Sequence, residues 1–245
     1  MTYKSMLERA RDHVARHLDC PPDVLLAPGT SLVENRRAKA PFLEICTMGA
    51  GVVVSASPEL LPRVEPLLAG KSRDEVFEFP LVYGQSLYYL PDLGRFHPLP
   101  LPEGYQYRLL AGGQVKELRG IAGFDNSLAF DAQGETPTCI VFFAERDGEV
   151  AGLAGAAPEG EGLWEMGVDV QPAFRREGLG AALVSRLTAA ILERDVVPFY
   201  CASVTNIGSQ GVAFRAGLAP AWVSTYRTVL DGSFAYGGLA PALPE

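Results

Sequence analysis

Val168-Asp169-Val170-Gln171-Pro172-Ala173-Phe174-Arg175-Arg176-Glu177-Gly178-Leu179-Gly180-Ala181 holds the end of a strand, a short loop and the start of a long helix. Pro172 stops a strand that begins near residue 163, and Leu179, Leu183, Leu187 and Ile191, supported by Val184, then trace one helical face. Gly178 and Gly180 carry no side chains, so an anion can approach the backbone closely there. The first-turn N–H groups of the helix have no intrahelical acceptor and point toward such an anion. With the positive end of the helix dipole alongside, the stretch reads as a pyrophosphate cradle. Arg175 and Arg176 supply its cationic charge in place of a lysine, since Lys116 is the last lysine in the chain.

Two rival glycine motifs fit less well. A dinucleotide fingerprint follows its strand at once and wants an acidic residue at the end of the next strand. Here residues 172–177 intervene, and the next strand ends in Ser203-Val204. A P-loop needs Gly-Lys-Ser/Thr, which is absent. A helix start with glycines used only for packing remains the structural alternative.

Working outward, residues 105–110, 138–145, 150–156, 163–170, 196–204 and 222–230 are expected as strands, with a hairpin turn at Asp147-Gly148. Helices are expected over 114–122, from Leu179 onward, and over 209–216, the last ending at Gly217. Antiparallel strands followed by strand-loop-helix-strand-helix-strand give a mixed α/β fold. Ahead of it, Leu7, Ala10, Val14 and Leu18 mark an amphipathic surface helix. Strands are expected over 42–48, 52–56, 77–83 and 86–90, and a helix over 58–68. Pro98, Pro100 and Pro102 alternate with leucines and block a helix, so the boundary is placed there. The expected domains are 1–100, a smaller α/β domain able to cover a substrate, and 101–245, which carries the glycine loop.

A chain of 245 residues lies near the size, about 250 residues, beyond which single cores stop growing, so two domains are expected. Its 21 Lys plus Arg against 29 Asp plus Glu give a formal charge of -8, which repels a phosphate backbone and argues against a nucleic-acid partner. Cys20, Cys46, Cys139 and Cys201 lack metal-ligand spacing, and the histidines are His13, His17 and His97, so no metal site is expected. No long apolar run or signal-peptide core appears, and a cytoplasmic protein without a membrane partner is the expectation.

Arg175-Arg176-Glu177-Gly178-Leu179-Gly180 satisfies Q/R-x-x-G-x-G/A, the signature of the GCN5-related N-acetyltransferases (GNAT). Asn206-Ile207-Gly208-Ser209 and Gly217-Leu218 resemble that family's Asn-x-x-Ser and Gly-Phe positions. The resemblance covers about residues 102–235. It implies a GNAT acyl-CoA N-acyltransferase fold, with acetyl-CoA as cosubstrate, no metal, and an acetyl group passed to a primary amine of a small molecule by direct attack in a ternary complex. By the same resemblance the backbone of Val168, Asp169 and Val170 pairs with the pantetheine amides. Arg175, Arg176, Glu177, Gly178, Leu179, Gly180 and Ala181 hold the pyrophosphate, and Asn206 and Ser209 lie beside the pantetheine arm. Asn206 and Ser209 also suit helix capping. The N-terminal half, with its 48–58 segment, resembles the extra domain of the branch that includes a zwittermicin resistance protein. A homodimer is left open.

The catalytic pair is less legible. Direct attack by an ammonium needs a proton acceptor, and the departing thiolate needs a donor. Many family members place a tyrosine seven residues after the Asn, where this chain has Ala213, and a glutamate five residues before it, where this chain has Cys201. Glu165, on the strand before the loop, is the expected base, with Asp169 behind it. Tyr226 is the expected acid, with Tyr200 as a second phenol. Cys201 as an acyl acceptor lacks a histidine downstream of His97 to activate it. A catalytically silent acyl-CoA-binding module and a protein N-acetyltransferase are the competing readings.

Overall fold

The computed structural model describes residues 1–38, 41–80, 82, 84–226 and 228–229. Its elements in chain order are α1 (Tyr3–Leu18), β1 (Gly29–Glu34), β2 (Phe42–Thr47), β3 (Gly51–Ala56), α2 (Leu61–Leu68), α3 (Arg73–Phe77), β4 (Gln85–Pro91), β5 (Gln106–Ala111), β6 (Ile140–Arg146), β7 (Glu149–Pro158), β8 (Leu163–Val170), α4 (Leu179–Leu192), β9 (Val197–Ser203), α5 (Ile207–Arg215), β10 (Leu218–Thr225) and β11 (Thr228–Val229). Short 3-10 turns occupy Pro22–Leu26, Gly112–Leu118 and Pro172–Phe174. The fold is mixed α/β, as read from the sequence.

The chain divides into two compact units. The first comprises Met1–Arg9, Tyr89–Ala202 and Asn206–Pro220; the second comprises Ala10–Tyr88, Ser203–Thr205 and the segment from Ala221 onward.

In the second unit β1 runs parallel to β3, from Gly29↔Gly51 to Glu34↔Ala56, and β2 runs antiparallel to β3. The end of β10 joins the other edge of β2 through Val223↔Thr47 and Ser224↔Cys46. Ile45, Val52, Val54, Val64, Leu68 and Val76 form the centre of its core. Sequence reading missed β1, whose Gly-Thr-Ser start reads as a turn. It also took 77–83 for a strand. Instead Ser72 and Glu75 form a capping box that starts α3, and Phe77 is the last residue of that helix; Leu81 and Tyr83 lie outside the described residues.

In the first unit the strand order is β9-β8-β7-β6-β5. β5 to β8 are antiparallel neighbours, while β8 and β9 are parallel, as a strand-helix-strand crossover through α4 requires. Asp147 and Gly148 close the β6–β7 hairpin with φ values of 52° and 81°, both left-handed, the type that two-residue hairpins favour. The expected helix over 114–122 is a 3-10 turn, Gly112–Leu118, whose Val115 and Leu118 join Leu110, Val141, Phe143 and Leu153 in the core. The α4 helix buries Leu179, Leu183, Leu187 and Ile191, the face that the periodicity picked out.

Candidate functional site

The β8–β9 ladder runs from Leu163↔Val197 to Met166↔Tyr200 and stops there, although β8 continues to Val170 and β9 to Ser203. On its other side β8 stays paired with β7 as far as Gly152↔Val170. The N–H and C=O groups that residues 167–170 turn toward β9 therefore form an open strand edge inside the sheet. Such an edge can take up an extended chain carrying amide groups.

Beyond the edge lies the glycine loop. Arg176 and Gly178 both have left-handed backbone, φ 70° and 82°, and Glu177 lies between them. Arg175 Nε donates to the carbonyl of Val170 at 2.9 Å, fastening the loop to the end of β8. Ala182 N–H donates to Gly178 O at 3.1 Å as the first bond of α4. By helix geometry the amides of Leu179, Gly180 and Ala181 then lack an intrahelical acceptor, and no side chain caps this end at Gly178. A Cβ at Gly178 would meet nothing within 4 Å, and one at Gly180 would stand 3.4 Å from Val170, 3.6 Å from Val212 and 4.0 Å from Val168. The open edge thus runs to an uncapped helix start along a wall made by three valines. These residues fit a ligand with an extended amide arm and a diphosphate.

Alternation along β8 puts Glu165, Gly167 and Asp169 on one face and Met166, Val168 and Val170 on the other. The second face is the helical one: Thr188 Oγ1 of α4 lies 3.5 Å from Met166 Sδ. Tyr200, opposite Met166, is buried, and its hydroxyl lies 2.7 Å from Ser209 Oγ of α5. Burial pushes the Tyr200 phenol up, so it is protonated at neutral pH. Asn206 caps α5 by accepting from Ser209 N–H at 3.0 Å. Its capping role is thus present, and Ala213 is fully buried one turn beyond Ser209.

On the first face Glu165 is half-buried, and its carboxyl is pushed up to about 7 by burial and then by Glu159. Asp169 differs. Its Oδ2 accepts from Asn126 N–H at 3.0 Å, Ser127 N–H at 3.0 Å and Ser127 Oγ at 2.7 Å, and its Oδ1 accepts from Asn126 Nδ2 at 2.6 Å. Most of its lone-pair directions are used, leaving little capacity to take a proton from a substrate. Tyr226 lies in the second unit, where its ring packs over Gly84.

Residues 113–217 match the family model described as Acetyltransferase (GNAT) family. They form a GNAT domain. The solved structures similar to the chain include the following three. One is a GNAT-family acetyltransferase from Colwellia psychrerythraea, at 14% identity over 64% of this chain and 62% of that one, TM-score 0.43. Another is a GCN5-related N-acetyltransferase from Kribbella flavida, at 22% identity over 58% and 56%, TM-score 0.43. A third is a GCN5-related N-acetyltransferase-like protein from Streptococcus suis, at 17% identity over 89% and 99%, TM-score 0.48. The chain spans less than two thirds of the length of the first two. No curated protein matches it. The GNAT match says nothing of residues 1–112, so the likeness to the zwittermicin-resistance branch stays an expectation.

Sequence reading missed several parts of the first unit. Gly155 and Gly167 face each other across β7 and β8. A Cβ on either would strike the backbone carbonyl of Ser127 or Asn126, so the two glycines form a notch in which residues 126–127 sit and which Asp169 closes. The only signal was the run of small residues 154–157, which marks close backbone approach without saying to what. Tyr105 and Arg146, which reach Glu177, carry no local signal at all. Among the described residues no group of three or more His, Cys, Asp or Glu side chains could hold a metal ion, and no helix is long and apolar enough to cross a membrane.

Proposed function

We propose that the chain is an acyl-CoA-dependent N-acyltransferase that passes acetyl from acetyl-CoA to a primary amine of a small molecule, both bound together. The observation that carries this reading is the early end of the β8–β9 ladder at Met166↔Tyr200, directly ahead of the uncapped start of α4. Backbone at Val168, Asp169 and Val170 would pair with the pantetheine amides. The loop from Arg175 to Ala181 would receive the diphosphate, and Asn206 and Ser209 would border the arm. Bound acetyl-CoA supplies an activated thioester.

In this reading Glu165 takes a proton from the ammonium of the acceptor. A carboxyl held near 7 is half ionised at neutral pH, close to the optimum for a general base. The freed amine lone pair attacks the thioester carbonyl; as the C–N bond forms and the C–S bond breaks, the nitrogen gives up its second proton and the thiolate takes one, leaving the amide and the free thiol. Tyr226 and Tyr200 are the phenols proposed to return that proton. The buried Ala213 supports a second reading, a silent acyl-CoA-binding module. A panel of amines incubated with acetyl-CoA, read by release of free thiol, separates the two. Thiol release with one class of amine supports the enzyme; tight CoA binding with no release across the panel supports the silent module.

A further inference from the structure

The phosphate loop holds an acidic residue where a diphosphate is proposed to bind, which at first sight opposes its own ligand. The Glu177 carboxylate is turned elsewhere. Its Oε2 accepts from the Tyr105 hydroxyl at 2.6 Å and from Arg146 Nη2 at 3.4 Å. The Arg146 guanidinium lies over the Tyr105 ring, 3.8 Å from its centroid, and 5.6 Å from the centroid of Phe174, the last residue of the 3-10 turn before the loop. Its Nε donates to Gly104 O at 3.1 Å. The Tyr105 phenol is pushed up to about 12, first by desolvation and then by the bond to Glu177, so it stays protonated and donates.

Backbone conformation makes this contact consequential. Arg176, with φ 70°, is a non-glycine residue in the left-handed region, a conformation that persists only where the surroundings hold it. Glu177 is its immediate neighbour, followed by left-handed Gly178. Arg175 ties the loop to β8 on one side, and Glu177 ties it to the β5 edge and the β6–β7 hairpin on the other. The loop is thereby stapled at both flanks of its least favourable residue.

We propose that Tyr105 and Arg146 are positioning residues for cosubstrate binding: through Glu177 they hold the phosphate loop in the conformation that presents its amides. The inference rests on the reading above that the loop receives the diphosphate of CoA. It makes a prediction opposite in sign to simple electrostatics. If the charge of Glu177 merely repelled the diphosphate, its removal would tighten binding and free Arg146 to help. If Glu177 is an anchor, its removal lowers the fraction of competent loop and weakens binding by that fraction. The Arg146 and Glu177 side chains are 31% and 43% exposed, so the anchor is of moderate strength.

The test is calorimetric titration of CoA into wild type, Tyr105→Phe and Glu177→Ala, with thermal unfolding of each. Tyr105→Phe keeps every charge and the ring contacts to Arg146, Tyr107 and Phe174 while deleting one hydrogen bond to a carboxylate. We expect about fivefold weaker CoA binding for Tyr105→Phe and about tenfold for Glu177→Ala, from the net worth of an ordinary, partly solvated hydrogen bond. Melting temperatures near wild type in both variants would separate loop positioning from general loss of stability. Unchanged CoA affinity in Tyr105→Phe, or tighter binding in Glu177→Ala, overturns the proposal while leaving the function reading intact. Absence of CoA binding by the wild type overturns the function reading, and this inference with it.

Discussion

Glu165 is the position where a change of pH has a clear sign. Its carboxyl is raised from the ordinary 4.5 to about 7 by burial and Glu159. A raised folded-state value means that its contribution to stability is whole below the unfolded value and is lost as pH rises through about 7. Glu165→Gln cannot ionise, so its melting temperature should exceed that of wild type at about pH 8 and match it at about pH 4. If Glu165 is the base, kcat/KM of the wild type should climb with pH and level off above about 7, and Glu165→Gln should lose that limb. A full rate with an unchanged pH profile in the variant would remove Glu165 from the mechanism. The sequence singled out Glu165 by its place ahead of the loop, but not its raised proton affinity, because Glu159 and the burying surroundings are brought to it by the β7–β8 hairpin. Asp169 shows the converse. It looked like a spare carboxylate until the partners of its oxygens, more than forty residues back in the chain, came into view.

At the scale of elements, the β7–β8 pair shows how two small residues place a loop. A Cβ at Gly167 would overlap the Asn126 carbonyl oxygen and lie 2.6 Å from its carbon and 3.2 Å from Ser127 Cα. Gly→Ala in an ordinary strand interior stabilises by about 0.5–1 kcal/mol. Here overpacking against backbone, which costs about 1–3 kcal/mol, should win, so Gly167→Ala is expected to lower stability in urea unfolding. Amides of residues 124–128 should exchange faster in the same variant, since the carboxylate of Asp169 then loses its register with Asn126 and Ser127. A variant as stable as wild type, with unaltered exchange, would mean that the loop gives way freely. Legibility differed between elements for a physical reason. The α4 helix and β8 were read nearly to the residue because each has a dominant period and a clear stop, Pro172 for the strand and Gly178 ahead of the helix. α3 and β1 were not, because a capped five-residue helix and a strand opening on Gly-Thr have no period long enough to recognise.

For the whole molecule, a ligand bound only by the native state raises stability by mass action. Acetyl-CoA at about a hundredfold above its dissociation constant should add roughly 2.7 kcal/mol, visible as a higher melting temperature. Adenine nucleotides that lack the pantetheine arm should add less, because they leave the edge at 167–170 unpaired. No shift with saturating CoA would count against the function proposed. The sequence by itself determined the mixed α/β class, the strand-loop-helix that carries the glycines, and the match to the GNAT signature, because each is written in short-range period, proline and glycine. Only the tertiary structure decided where the β8–β9 ladder ends, that Asp169 holds residues 126–127 in a notch cut by Gly155 and Gly167, and that Glu177 turns away from the phosphate loop toward Tyr105 and Arg146. These depend on groups tens of residues apart that meet only when strands pair, and hydrogen bonds of that kind leave no trace in local composition.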